Sequence, residues 1–411
     1  MPTRGATSQT ITRAAIAVLL SATLVADQSA PAAPPPAVPG YAEAWRVPLE
    51  TGGPFSLAVD QTAVFVANEY SCARYLVIRV FVWQAAMSPL QCGESEQDGI
   101  AAYAKADGKL LWKHPRAGVT QLLASSAAHA PLAAVSTTDL IALDPGTGDV
   151  RWTTTLAGPA DRTYLAAFQG GGLTVASGST LRAYRRDGTV AWSVSLPAAA
   201  TTPAVERDGV AWVGTDAPSL VRIDLSSGAV VSQTPVASPP QAIVVVSGEA
   251  YVGGSAPILA LYRAGETKPS WQWKPKRGLA GLVGAPVVGE ELVFVTALDN
   301  TLQAFDRGGG AVRWRQPLPS RPAPGLIESG GLLFVPLITG EVVRLSPVKG
   351  AKAPFAEMKL DKDARLRAFQ MDAAGGVFTV TVSARTQALT SWRPAAPAKS
   401  PQPPSPRRPG A

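Results

Sequence analysis

Tryptophan recurs through the middle of the chain at Trp112, Trp152 and Trp192, then at Trp273 and Trp314, in steps of 40, 40, 81 and 41 residues. The member missing from the long step falls near Ser232. A period near 40 restricts the fold to repeat architectures, either four-stranded propeller blades or paired-helix solenoid units.

The residues around each tryptophan favour strands. Leu140 to Trp152, Leu181 to Trp192 and Leu302 to Trp314 each read as an apolar run, a turn rich in Gly and Asp, and a second apolar run that ends in tryptophan. Alternate residues such as Leu302 and Ala304, then Val312 and Trp314, share a face, as a period of two requires. Asp and Gly supply the side-chain turn bonds and positive φ of a hairpin. Further β-rich stretches lie upstream, among them Gly209–Gly214, Glu249–Gly253, Glu291–Thr296 and Gly331–Pro336, with Ala242–Val246 and Ala285–Val288 before two of them. Three strands and then the tryptophan strand make a four-stranded antiparallel blade.

With these copies in view the chain resembles the propellers built from pyrroloquinoline-quinone (PQQ)-type repeats. The match is best from Ala142-Leu-Asp-Pro-Gly-Thr-Gly148 to Trp152, and weaker copies cover nearly all of 41–393. The resemblance implies a β-propeller. It leaves function open, because the repeat residues build the blade and free the loops.

Residues 41–393, less an insertion at 70–98, supply eight blades of about 40 residues each, with seven as the alternative count. The expected fold is an all-β, eight-bladed propeller of four-stranded antiparallel blades. Tryptophan-strand positions fall at Trp45, Trp112, Trp152, Trp192, Ser232, Trp273, Trp314 and a degenerate position near Met358. The strand at Ala44–Leu49 has no upstream partners of its own. It is expected to complete the last blade, formed by about 365–371, 376–382 and 386–392, and so to close the ring without a free edge.

The ends read as export and tail segments. Residues 1–26 form a signal peptide, with Arg4 and Arg13 ahead of the apolar run Ala14–Ala26, which is too short to span a bilayer. Cleavage is expected after Ala26 or Ala30, with an uncleaved anchor as the alternative. No Cys follows the apolar run to carry a lipid. Residues 27–40 are a Pro/Ala-rich linker, and 394–411 a Pro-rich tail expected to be disordered. The mature chain is expected to have no transmembrane span, to be monomeric, and to reside in the periplasm, at the cell surface or outside the cell.

The insertion at 70–98 holds the only two cysteines, Cys72 and Cys92, expected to form one disulfide in an exported protein. It also holds Tyr70, Tyr75, Phe81 and Trp83, a candidate interaction surface or a cover over part of the ring.

Composition and motifs exclude several function classes. The formal charge of +7 comes from dispersed basic residues, with modest clusters at Arg182, Arg185 and Arg186 and at Lys274, Lys276 and Arg277. Nucleic-acid binding would want a contiguous basic stripe with interleaved aromatics. No nucleophile elbow, zinc-protease motif, P-loop or dinucleotide fingerprint is present. His114 and His129, the only histidines, make a histidine triad or three-histidine metal site improbable. Glu94–Gly99 starts like a calcium loop, but Lys105 stands where a bidentate Glu is needed.

The family resemblance does imply one enzymatic alternative, a quinoprotein-like oxidoreductase or small-ligand-binding propeller using PQQ. Alcohol dehydrogenases of that kind use a calcium bound by a carboxylate and an Asn, an Asp base, and a disulfide between adjacent cysteines. Here the cysteines stand 20 apart, and Asn68 and Asn300 are the only asparagines. The favoured reading is a non-enzymatic scaffold in the bacterial cell envelope, without cofactor or metal, that grips an envelope protein or peptide. In this the chain resembles the propeller subunits of the outer-membrane β-barrel assembly machinery.

Overall fold

In the computed structural model, the hairpins around the tryptophans form the outer halves of antiparallel sheets. The structure describes residues 41–49, 55–68, 72–73, 76–78, 85–87, 91–92 and 99–394, except 117, 126–129, 137, 157–162, 169–170, 255, 257, 276–280, 349–363, 373 and 384–385. Blade 1 is Phe55–Val59, Ala63–Asn68, Ile100–Ala104 and Leu110–His114. Blade 2 is Gln121–Leu123, Leu132–Val135, Asp139–Leu143 and Val150–Thr155; blade 3 is Thr163–Phe168, Gly172–Ser177, Thr180–Tyr184 and Val190–Ser195. Blade 4 is Val205–Arg207, Val210–Thr215, Ser219–Asp224 and Val230–Pro235; blade 5 is Pro240–Val246, Glu249–Gly254, Leu259–Arg263 and Trp271–Trp273. Blade 6 is Leu282–Val288, Leu292–Ala297, Thr301–Asp306 and Val312–Pro317. Blade 7 shows Ile327–Ser329, Leu332–Pro336 and Val342–Leu345, and its fourth strand, expected near Met358, falls outside the described residues.

Blade 8 joins the two ends of the chain. Arg365–Met371, Val377–Val382 and Gln387–Pro394 are completed by Tyr41–Pro48, whose register runs from Tyr41 opposite Pro394 to Pro48 opposite Ala388. Pairing first strand with last converts two free edges into one ladder.

Burial follows strand position. Ala63–Asn68 and Gly172–Ser177 are buried at every residue, because second strands lie between two neighbouring blades and read as continuous apolar runs. Outer strands such as Val190–Ser195 turn one face to solvent and bury Trp192. In blades 1, 2, 3, 4 and 6 the outer strand carries a register shift at the residue pair where the ladder meets the turn, for instance between Ala142 and Leu143. The extra residue bends the strand around the hairpin.

The core is divided among the seams. Eight apolar clusters each combine two neighbouring blades: Phe65 and Ile100 with Leu132 and Ile141, Leu140 with Leu173 and Tyr184, and so on around to Phe334 and Val342 with Val377 and Trp392. The last seam packs Trp45 and Phe378 of blade 8 against Val64 and Tyr103 of blade 1. Eight blades with eight seams close the ring, which excludes the seven-blade count. Burying each large apolar side chain contributes about 1.5–3 kcal/mol.

Candidate functional site

Because each blade is a four-stranded meander, its first and third turns emerge on one face of the ring and its middle turn on the other. The first face is built by the repeat itself. Asp144 Oδ1 accepts the amides of Gly146 and Thr147 at 2.8 and 3.1 Å, and Asp306 Oδ1 accepts that of Gly309 at 2.8 Å. Asp224 does the same with Ser226 and Ser227, whose hydroxyls hold its carboxyl down at about 2. These aspartates shape turns and have no free chemistry to offer.

The tryptophans meet these turns from the preceding blade. Indole Nε1 donates to a turn carbonyl one blade on: Trp45 to Lys105 at 3.1 Å, Trp112 to Pro145 at 3.0 Å, Trp152 to Arg186 at 2.9 Å, Trp192 to Leu225 at 2.7 Å and Trp314 to Pro347 at 3.0 Å. In blade 5 the donor is Trp271, to Arg307 at 2.9 Å, and Trp271 stands opposite Leu261 as Trp314 stands opposite Ala304. Trp273 lies two residues further on and packs edge-on against Phe305, ring centroids 5.0 Å apart. The ladder is a row of seam pegs rather than an exposed stacking platform.

At the Ser232 gap, blade 5 joins its third and fourth strands through Ala264–Ser270, a turn whose Gly265 has no ring beside it. Thr234 reaches that turn instead, its hydroxyl 3.5 Å from the Glu266 carbonyl.

Across the first face of blades 5, 6 and 7 runs a groove of about 1320 Å³. Its floor is apolar, with Val246, Val288, Leu292 and Phe294, and Pro347 and Val348 form one edge. Its wall is fixed by an ion network at the seam of blades 5 and 6. Glu249 accepts Arg307 Nη2 at 3.1 Å, the Tyr251 hydroxyl at 2.8 Å and Arg263 Nε at 3.3 Å, while Arg307 Nη1 donates to the Gly289 carbonyl at 3.2 Å. Burial pushes the Tyr251 hydroxyl up to about 12, reinforced by its bond to the Glu249 carboxylate. Burial alone would raise Glu249, but the bonds from Tyr251, Arg307 and Arg263 prevail and hold its carboxyl below the ordinary value.

Arg313 pairs with Asp306 in the same groove. Glu290, Glu291 and Glu328 line it as exposed carboxylates, and no ion pair joins them to a cation among the described residues. Among the described lining residues, five carboxylates stand against the two cations Arg307 and Arg313, in a chain of net positive charge. Sequence reasoning missed this groove. Acids stand in the first turns of blades 5, 6 and 7 at Glu249, Glu290, Glu291 and Glu328, but also in those of blades 1, 4 and 8 at Asp60, Asp208 and Asp372, so the sequence alone does not single the groove out.

Cys72 and Cys92 are direct partners in a short antiparallel ladder within the insertion, which lies in the chain between the second and third strands of blade 1. Tyr70, Tyr75, Phe81, Trp83 and the acidic turn at Glu94–Asp98 lie outside the described residues, as do the signal segment, the linker and the tail beyond Pro394. Among the described residues, no group of three or more His, Cys, Asp or Glu side chains could hold a metal ion, and no helix is long and apolar enough to cross a membrane. On the inner strands the Gln121 side-chain amide donates to the Thr163 carbonyl and accepts the Leu165 amide of blade 3, tying that seam together.

Residues 96–244 and 242–399, well over half of the chain, match a family model described as outer membrane protein assembly factor BamB. Among solved structures, BamB from Moraxella catarrhalis superposes with a TM-score of 0.60 at 16% identity, covering 86% of this chain and 97% of that one. The computationally designed Ika8 protein superposes with a TM-score of 0.64 at 13% identity, covering 85% of this chain and 99% of the other. At such identities the likeness to both structures is one of fold. No curated protein matches the chain.

Proposed function

The chain belongs to the family of the outer membrane protein assembly factor BamB, and from that premise we propose that it is a non-enzymatic scaffold which holds a protein partner in the bacterial cell envelope. Family membership across both halves of the ring carries this reading. The architecture supports it, since the repeat carboxylates and indoles are consumed in turns and seams and the loops are left to vary. Export through the N-terminal segment and a Cys72–Cys92 disulfide belong to the same reading, because an oxidising compartment sustains the bond.

The test is cell fractionation with in-cell photo-cross-linking, using probes at the exposed loop positions Ala217 and Ile338 on one face and Gly308 on the other. The expected result is recovery in the envelope with a defined adduct to an outer-membrane protein assembly component. Recovery in the cytosol, or no defined protein adduct from either face, would overturn the proposal. The scaffold calls for no cofactor: purified chain mixed with PQQ and calcium is expected to show neither a bound-quinone absorbance nor dye-linked oxidation of alcohols or sugars.

A further inference from the structure

The groove across blades 5, 6 and 7 has an apolar floor, three carboxylates without an ion pair among the described residues, and no occupant assigned by the scaffold reading. We propose that its occupant is the C-terminal segment of the same chain, residues 395–411.

Position is the first argument. The third strand of blade 8 ends at Pro394 on the face that carries the groove. Arg393 fixes that exit, donating to the Lys105 carbonyl at 3.1 Å and to Asp372 at 3.2 Å, both in turns of this face. Blade 8 packs directly on blade 7, where the groove begins at Glu328 and Val348.

Length is the second. Residues 395–411 in an extended polyproline conformation reach about 50 Å at 3.1 Å per residue, against about 10 Å between stacked sheets. The segment can therefore cross blade 7 and lie along blades 6 and 5.

Charge and composition select this segment over the other end of the chain. Residues 395–411 carry Lys399, Arg407 and Arg408 and no acid, while the segment 27–40 that precedes Tyr41 has Asp27 and no Lys or Arg. Glu290, Glu291 and Glu328 complement the basic residues, and Val288, Leu292 and the exposed Val348 offer an apolar bed to the prolines. Tethering makes docking intramolecular, so even a weak contact is populated at a high effective concentration.

The test places a photo-cross-linker in the full-length chain at Ser405 and maps the adducts by mass spectrometry in a mixture of isotopically light and heavy protein. Adducts are expected within one molecule, at 288–294 and around Val348. Their yield is expected to fall about tenfold in the triple variant Glu290→Gln, Glu291→Gln, Glu328→Gln, whose exposed turn positions leave folding intact, and likewise in the tail variant Arg407→Glu, Arg408→Glu. Adducts elsewhere on the ring, adducts between light and heavy copies, or a yield unchanged in both variants would overturn the proposal. None of these outcomes depends on the envelope partner.

Discussion

A Cβ placed on Gly148 would lie 2.6 Å from Cε3 of Trp112, one blade away, and Gly148 itself holds φ +79°. The same approach joins Gly108 to Trp45, Gly188 to Trp152, Gly228 to Trp192 and Gly310 to Trp271. Turn glycine and tryptophan are thus two halves of one joint, the glycine leaving room for the ring and the ring accepting the turn.

Gly148→Ala therefore combines a left-handed backbone with a steric clash and should lower unfolding stability by about 2–4 kcal/mol. Gly209→Ala, at φ +76° with nothing within 4 Å of the new atom, should lose only about 1 kcal/mol. Urea denaturation of the two variants checks the difference, and equal losses would remove the packing half of the argument.

Trp271 and Trp273 differ in role despite lying two residues apart. Trp271→Phe removes the indole bond to the Arg307 carbonyl and should cost about 1–2 kcal/mol. Trp273→Phe keeps an aromatic ring against Phe305 and should cost less. Thermal melts of both proteins decide which residue serves as the peg.

Ring closure contains an acid-sensitive joint. Asp372, whose side chain is 5% exposed, accepts Lys105 Nζ of blade 1 at 2.9 Å and Arg393 Nη1 of the last strand at 3.2 Å. Burial raises its pKa, yet the bonds from Lys105, the Gly376 amide and Arg393 outweigh burial and set the carboxyl below its ordinary 3.8. A depressed carboxyl contributes stability above the unfolded pKa and loses it as pH falls through the folded one. Asp372→Asn should cost about 2–4 kcal/mol at neutral pH, and the gap from wild type should shrink as pH falls below about 4. A gap constant down to low pH would contradict this assignment.

Cys72 and Cys92 are opposite each other in the backbone register of the insertion ladder. Peptide mapping of exported protein without reductant should recover them as one cross-linked pair, and Cys72→Ser with Cys92→Ser should lower stability by at most about 3 kcal/mol. Recovery of two free thiols from exported protein would refute the bond.

The sequence alone determined the blade, its repeat and the ring closure, because strand alternation and Asp-Gly turns are local properties that recur every 40 residues. It also located the break at Ser232, without giving its cause. Tertiary structure decided what depends on neighbouring blades. The peg is Trp271 rather than the Trp273 that spacing selected, because pairing with Leu261 points it at the Arg307 turn. At the Ser232 gap the contact to the next blade's turn passes to Thr234. The acidic groove exists only where Glu249, Glu291 and Glu328, separated by whole blades in sequence, are brought side by side by seam packing. Local periodicity fixes which residues form strands, but the chemistry of a shared surface is set by which turns the closed ring makes neighbours.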